Sequence, residues 1–135
     1  ITKYPRADYI CIDAPEARLA ARDRVSPIDD IARALCKVEI DCAKLIITHG
    51  KQGCVTYERR GEVQMLPALA RKVVDTVGAG DAFLAVTAPL LAAGGPMDLI
   101  GFVGNVVGAL KVEIVGHRQS IEKADLIKGI TGLLK

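Results

Sequence analysis

Short apolar runs bounded by turn residues give the chain its outline. Ala7-Asp8-Tyr9-Ile10-Cys11-Ile12-Asp13 is rich in strand formers and reads as a buried parallel strand that ends at Asp13. Ala14 to Ala20 begins a helix with Pro15 in its first turn, where a missing N–H removes no intrahelical bond. Ser26-Pro27-Ile28-Asp29-Asp30 reads as a cap, a first-position proline and first-turn acids, opening a helix to about Lys37. Lys44 to Gly50 is the next buried strand, and Lys51-Gln52-Gly53 turns it into another, Cys54 to Glu58. The polar turn Arg59-Arg60-Gly61-Glu62 then leads to Val63 to Leu66 in a hairpin-like arrangement.

Downstream the spacing becomes helical. From Asp81 to Ala93 an apolar face runs through Leu84, Thr87, Ala88 and Leu91, with a bend expected near Ala85 to Pro89 and a stop at Gly94-Gly95-Pro96. Met97 to Val112 is a second helix, with Ile100, Val103, Val107 and Leu110 on one side and Gly101, Gly104 and Gly108 on another. Each interior glycine costs about 1 kcal/mol relative to alanine, so the glycine face is expected to lie against a neighbouring backbone or a flat ligand, close helix packing being the simpler account. A loop from Val115 to Ser120 precedes a last, structural helix, Ile121 to Leu134. The fold class expected is α/β, a mostly parallel sheet flanked by helices.

Composition narrows the function. A chain of 135 residues with half its positions apolar and a quarter charged is expected to be one domain with a real core. Its 18 basic and 16 acidic residues are interleaved to a net +2, and it has no Trp, which points away from nucleic acid. No apolar run approaches the ~20 residues of a membrane span. Cys11, Cys36, Cys42 and Cys54 form no CxxC pair and read as reduced core thiols of a cytoplasmic protein, and His49 and His117 share no metal-ligand spacing.

The chemistry gathers in Val73-Val74-Asp75-Thr76-Val77-Gly78-Ala79-Gly80-Asp81-Ala82-Phe83. A glycine-bearing loop feeding a helix start offers unpaired N–H groups and the positive end of the peptide dipoles, which favour a phosphate or a developing oxyanion. Gly78 and Gly80 let a ligand approach the backbone. Asp81 sets a carboxylate beside that anion hole, where it can take a proton from an alcohol. The string lacks the Gly-Lys-Ser/Thr ending of a Walker A loop, and Phe83 sits where a dinucleotide fingerprint has its third small residue. Taken alone, Gly-Ala-Gly-Asp serves equally well as a helix start with Asp81 as its cap.

The longer string Asp-Thr-Val-Gly-Ala-Gly-Asp-Ala-Phe resembles the signature of the ribokinase-like (PfkB) carbohydrate kinases. The resemblance implies an anion hole at Gly78, Ala79 and Gly80, and Asp81 as the base that activates the acceptor hydroxyl. Asp13-Ala14-Pro15-Glu16 is similar to the family's Asn-x-x-Glu motif, which implies that Glu16 helps organise magnesium and phosphate, with Asp13 adding a charge where the family has Asn. Thr48-His49-Gly50-Lys51-Gln52-Gly53 resembles the family's Thr-x-Gly-x-x-Gly segment and implies ATP contacts at Thr48, Gly50 and Gly53. Asn105 occupies a place similar to an adenine-side Asn. Several members bind a monovalent cation between the loop that begins with Asp75 and the loop that here holds Gly116 and Ser120, so Asp75 is a metal candidate and potassium an open option beside ATP and magnesium. Parts of the downstream pattern resemble heptose-phosphate kinases, with ribose, fructose and nucleoside kinases left open. The resemblance covers the C-terminal portion of such a kinase, so the expected arrangement is a nucleotide-binding, catalytic portion over 1–135. Its partners would be a small sugar, no nucleic acid, no membrane, and either a second copy or a missing N-terminal segment over the strand near Ile10. The alternative is a nucleotide-binding or structural fragment without activity.

Overall fold

The structure, a computed structural model, describes residues 1, 3–4, 6–59, 61–116 and 119–135, with Val38 and Glu39 described by their backbone alone. Contacts group the chain into two compact units, Ile1–Leu66 and Pro67–Lys135, where length alone suggested one domain.

The first unit carries strand β1 (Arg6–Asp13), helices α1 (Ala14–Ala21) and α2 (Ile28–Ala34), a π-turn (Leu35–Glu39), β2 (Asp41–Thr48), a 3-10 turn (Gly50–Gln52), β3 (Cys54–Glu58) and β4 (Val63–Leu66). The strands lie in the order β1-β2-β3-β4. Ile10 is level with Leu45, Leu45 with Tyr57 and Tyr57 with Val63. Onto that row α1 brings Ala14 and Ala17 and α2 brings Ile28, Ile31 and Ala32, closing one hydrophobic core. Burying each large aliphatic side chain contributes about 1.5–3 kcal/mol.

The expected mostly parallel sheet is parallel only at β1–β2 within these residues; β2–β3 and β3–β4 run antiparallel. The α1–α2 crossover is long enough to return the chain in the same direction, whereas the short links 49–53 and 59–62 allow only reversal. Two boundaries also differ from expectation. Ser26 does not cap α2: Pro27 does, its carbonyl accepting the N–H groups of Asp30 and Ile31 at 3.1 Å, while the Ser26 N–H donates to Asp23 Oδ1 at 2.9 Å. Gly50 leaves the strand for the 3-10 turn, because the His49 N–H donates to the Gly53 carbonyl at 2.7 Å and closes the chain on itself.

The second unit is helical, with α3 (Ala79–Ala92), α4 (Met97–Lys111) and α5 (Lys123–Leu133). Pro89 lies inside α3, and two residues earlier the buried Thr87 hydroxyl donates to the Phe83 carbonyl at 2.8 Å. The α3–α4 crossing is as close as it is because Gly104 has no side chain: a Cβ there would stand 2.3 Å from the Phe83 ring. At Gly129 in α5 the fit is looser: a Cβ there would meet Val106 at 3.2 Å. Among the described residues no helix is long and apolar enough to cross a membrane. All four cysteines are free thiols, Cys42 and Cys54 buried and Cys11 and Cys36 half-buried, and burial pushes the Cys11 thiol up.

Candidate active site

The Asp75–Asp81 turn is tied down from both sides. The N–H groups of Val74 and Asp75 both donate to the Val112 carbonyl, at 2.7 and 3.0 Å. The Asp75 carboxylate accepts the Val77 N–H on Oδ1 at 2.9 Å and the Gly116 N–H on Oδ2 at 2.8 Å. Those backbone donors, with a smaller contribution from the charge of Lys111, hold the Asp75 carboxyl below its usual range.

Helix α3 starts at Ala79, two residues before the start expected at Asp81, and its N-cap is Gly78. Asp81 therefore lies in the first turn and is not the N-cap, a position where a carboxylate also favours the helix dipole. The first intrahelical bond runs from the Ala82 N–H to the Gly78 carbonyl at 3.0 Å. The N–H groups of Gly80 and Asp81 thus have no acceptor within the helix and point out of its N-terminus, the end that attracts anions. The Asp81 side chain is exposed beside them.

The glycines of the turn have different reasons to be there. Gly78 has a φ of 75°, a left-handed conformation that disfavours any side chain. Gly80 has no such constraint, and a Cβ on it would meet nothing within 4 Å. A first-turn glycine gives up helix propensity relative to alanine, and neither backbone angle nor packing calls for it. Gly80 shares these open surroundings with Gly108 and Gly132; what sets it apart is its place at the start of α3, next to N–H groups that have no acceptor in the helix.

In the first unit, another set meets at one end of the sheet. Asp13, the last residue of β1, and Glu16 form a reciprocal capping box: the Glu16 N–H donates to Asp13 Oδ1 at 2.7 Å and the Asp13 N–H to Glu16 Oε2 at 3.1 Å. Thr48 stands opposite Asp13 in the register and its hydroxyl donates to the Ile12 carbonyl at 3.4 Å. Gly50 and Gly53 follow in the tight turn, where the Gly53 N–H donates to the Gly50 carbonyl at 3.1 Å; with φ at 92° and ψ at −129°, Gly53 could hardly be another residue. The box leaves each carboxylate a second oxygen, and exposed hard oxygens are the donors that magnesium takes. Asp13 and Glu16 thus fit a magnesium–phosphate environment. Among the described residues no group of three or more His, Cys, Asp or Glu gathers as a metal cluster.

Asn105 is buried in α4, with its side-chain amide donating to the Pro67 carbonyl at 3.0 Å. A cavity of about 690 Å³ opens between α4 and α5, lined among others by Leu69, Arg71, Leu110, Ile121 and Gly129; Ser120 of the expected cation loop lines it, and Asp75, Gly78, Ala79, Gly80, Asp81 and Asn105 do not. Lys111, whose Nζ donates to the Gly116 carbonyl at 2.7 Å, was not singled out by sequence reasoning. The available signal was a lysine closing a helix whose preceding five residues, 106–110, carry no polar side chain. His117 and Arg118 lie outside the described residues.

A sheet with a helical crossover and flanking helices makes this an α/β protein. The chain belongs to the pfkB family of carbohydrate kinases, whose profile matches residues 2–124. It is 34% identical to the bifunctional protein HldE of Geobacter metallireducens over 99% of this chain and 31% of that one. It is 35% identical to the HldE of Rhodopseudomonas palustris over 85% of this chain and 23% of that one. Among solved structures it is similar to the ribokinase of Thermotoga maritima, with a TM-score of 0.80 at 20% identity over 92% of this chain and 42% of that one. It is also similar to phosphofructokinase-2 of Escherichia coli in complex with potassium, with a TM-score of 0.81 at 17% identity over 96% of this chain and 42% of that one. The chain therefore spans less than a third of these curated relatives and under half of these solved structures.

Proposed function

We propose that residues 1–135 are the nucleotide-binding, catalytic portion of an ATP-dependent sugar kinase, C-terminal within it, that phosphorylates a hydroxyl of a sugar or sugar phosphate. The observation that carries this reading is Gly80, a glycine that the fold itself does not require, next to two outward N–H groups and the exposed Asp81 carboxylate.

In this reading Asp81 takes the proton of the acceptor hydroxyl. The alcohol oxygen forms its bond to the γ-phosphorus as the β–γ bridge bond breaks, and the electron pair leaves with ADP. The N–H groups at the start of α3, in the Gly78-Ala79-Gly80 turn, stabilise the charge on the transferring phosphoryl oxygens. Catalysis of this kind is mostly positioning and charge stabilisation. Magnesium, when bound, neutralises phosphate charge; Asp13 and Glu16 are the residues that would hold it. Asp75, with both oxygens occupied by backbone N–H groups, serves as the holder of the turn. Thr48, Gly50 and Gly53 are assigned to ATP. Asn105 is assigned first to the Pro67 carbonyl and only secondarily to the nucleotide. In this reading the reaction is cytoplasmic, and the outer edge of β1, an edge strand of the sheet, is open to a second copy.

Replacing Asp81 by Asn in the complete enzyme is expected to lower kcat by about 10²–10⁴, the usual contribution of a positioned base, with ATP affinity within a few-fold. Retained turnover would remove Asp81 from the role. A second reading, nucleotide binding without turnover by the 135-residue chain alone, is favoured by one fact: the chain covers only 42% of the solved kinases it matches.

A further inference from the structure

Lys111 is the only charged side chain among the buried described residues, 5% exposed at the last position of α4. An ammonium on a buried side chain needs polar groups that replace its lost hydration. The groups that do so here belong to the turn of the candidate active site. Nζ donates to the Gly116 carbonyl at 2.7 Å, and the N–H of the same Gly116 donates to Asp75 Oδ2 at 2.8 Å. The other Asp75 oxygen accepts the N–H of Val77, the residue before the left-handed Gly78. Val112, the residue after Lys111, holds the Val74 and Asp75 N–H groups on its carbonyl. An unbroken chain of hydrogen bonds and short backbone links thus leads from the ammonium to the start of α3.

We propose that Lys111 is a positioning residue whose ammonium acts as a built-in cation: it holds the Gly116 turn against Asp75, sets the Gly78–Asp81 helix start, and removes the need for a free monovalent cation there. The importance of that helix start rests on the kinase reading above, but the linkage itself does not. A lysine that only packed its methylene stem would tolerate Met. A cation that holds the Gly116 carbonyl, and through the Gly116 N–H the Asp75 carboxylate, would not, and a small ion of the same charge could take its place.

The test needs no nucleotide. Amide hydrogen exchange at Val77 and Gly116 is followed in the intact chain in sodium, potassium, ammonium and choline chloride at constant ionic strength. The wild-type chain is expected to show the same protection in all four salts. Lys111→Met is expected to lose at least tenfold protection at both amides in choline chloride and to regain it in ammonium or potassium chloride, and Lys111→Arg to keep most of it. Wild-type protection that rises with potassium would overturn the proposal even if Lys111→Met does not fold. So would a folded Lys111→Met with unchanged protection, or with a loss that no monovalent cation restores. Because nucleotide is absent throughout, failure of the kinase reading would leave these outcomes intact.

Discussion

The Phe83 ring occupies the space that a side chain on Gly104 would need, with three ring carbons 2.3, 2.4 and 2.8 Å from the position of a Cβ. Phe83 is two residues beyond Asp81 and is 3% exposed, so the contact that packs α3 on α4 also anchors the helix whose start carries the candidate chemistry.

Gly104→Ala should therefore destabilise the protein by about 1–3 kcal/mol, the usual cost of overpacking a core, despite alanine's better helix propensity. Gly108→Ala, in the same helix with nothing within 4 Å of its Cβ, should be neutral or stabilise by up to about 1 kcal/mol. Urea denaturation of the two variants reads the contrast. Equal effects would mean that the Phe83 ring moves aside freely.

Much of this arrangement was legible in the residues. The glycine face of α4 pointed to close packing, and Gly104 shows it. The short apolar runs matched β1, β3 and β4 nearly to the residue, because strand formers there are bounded by Pro, Gly or charged turns. The direction of pairing was less legible, since it depends on how long each connection is rather than on what the strands contain. The cap of α2 was misread because Ser26 satisfies its N–H through Asp23, a competing local turn. The tie between Asp75, Gly116 and Lys111 joins residues up to 41 positions apart, which no local periodicity reports.

The capping box separates stability from chemistry in the first unit. Asp13→Ala should cost about 1 kcal/mol in a denaturation experiment, whereas Asp13→Asn, an equally good cap, should stay within a few tenths. Glu16→Gln keeps a capping-box residue and should be similarly benign for stability. If Glu16 serves the magnesium–phosphate environment, this variant should nonetheless weaken magnesium-dependent binding of an ATP analogue. Unchanged binding would confine Glu16 to its capping role.

Acid should loosen the Asp75 turn late. A carboxyl whose pKa is lowered in the folded state contributes stability that is present above the unfolded value, about 3.9, and is lost as pH falls through the lower folded value. Protection of the Val77 and Gly116 amides, corrected for intrinsic exchange, should be flat from pH 7 to pH 5 and fall only below about 3.9. Asp75→Asn should remove that acid-dependent component. A midpoint near neutrality would assign the turn's stability to another group.

Gly80→Ala tests the central claim most directly. The structure leaves room for the added methyl, so the unliganded melting temperature should hold or rise. A non-hydrolysable ATP analogue with magnesium, at 100 times its Kd, should stabilise the wild-type chain by about 2.7 kcal/mol. In Gly80→Ala the same analogue should bind at least about tenfold more weakly, a loss of about 1.4 kcal/mol. Wild-type stabilisation together with undiminished binding by Gly80→Ala, or no stabilisation of the wild type at saturating analogue, would contradict a phosphate-binding turn at Gly78–Asp81.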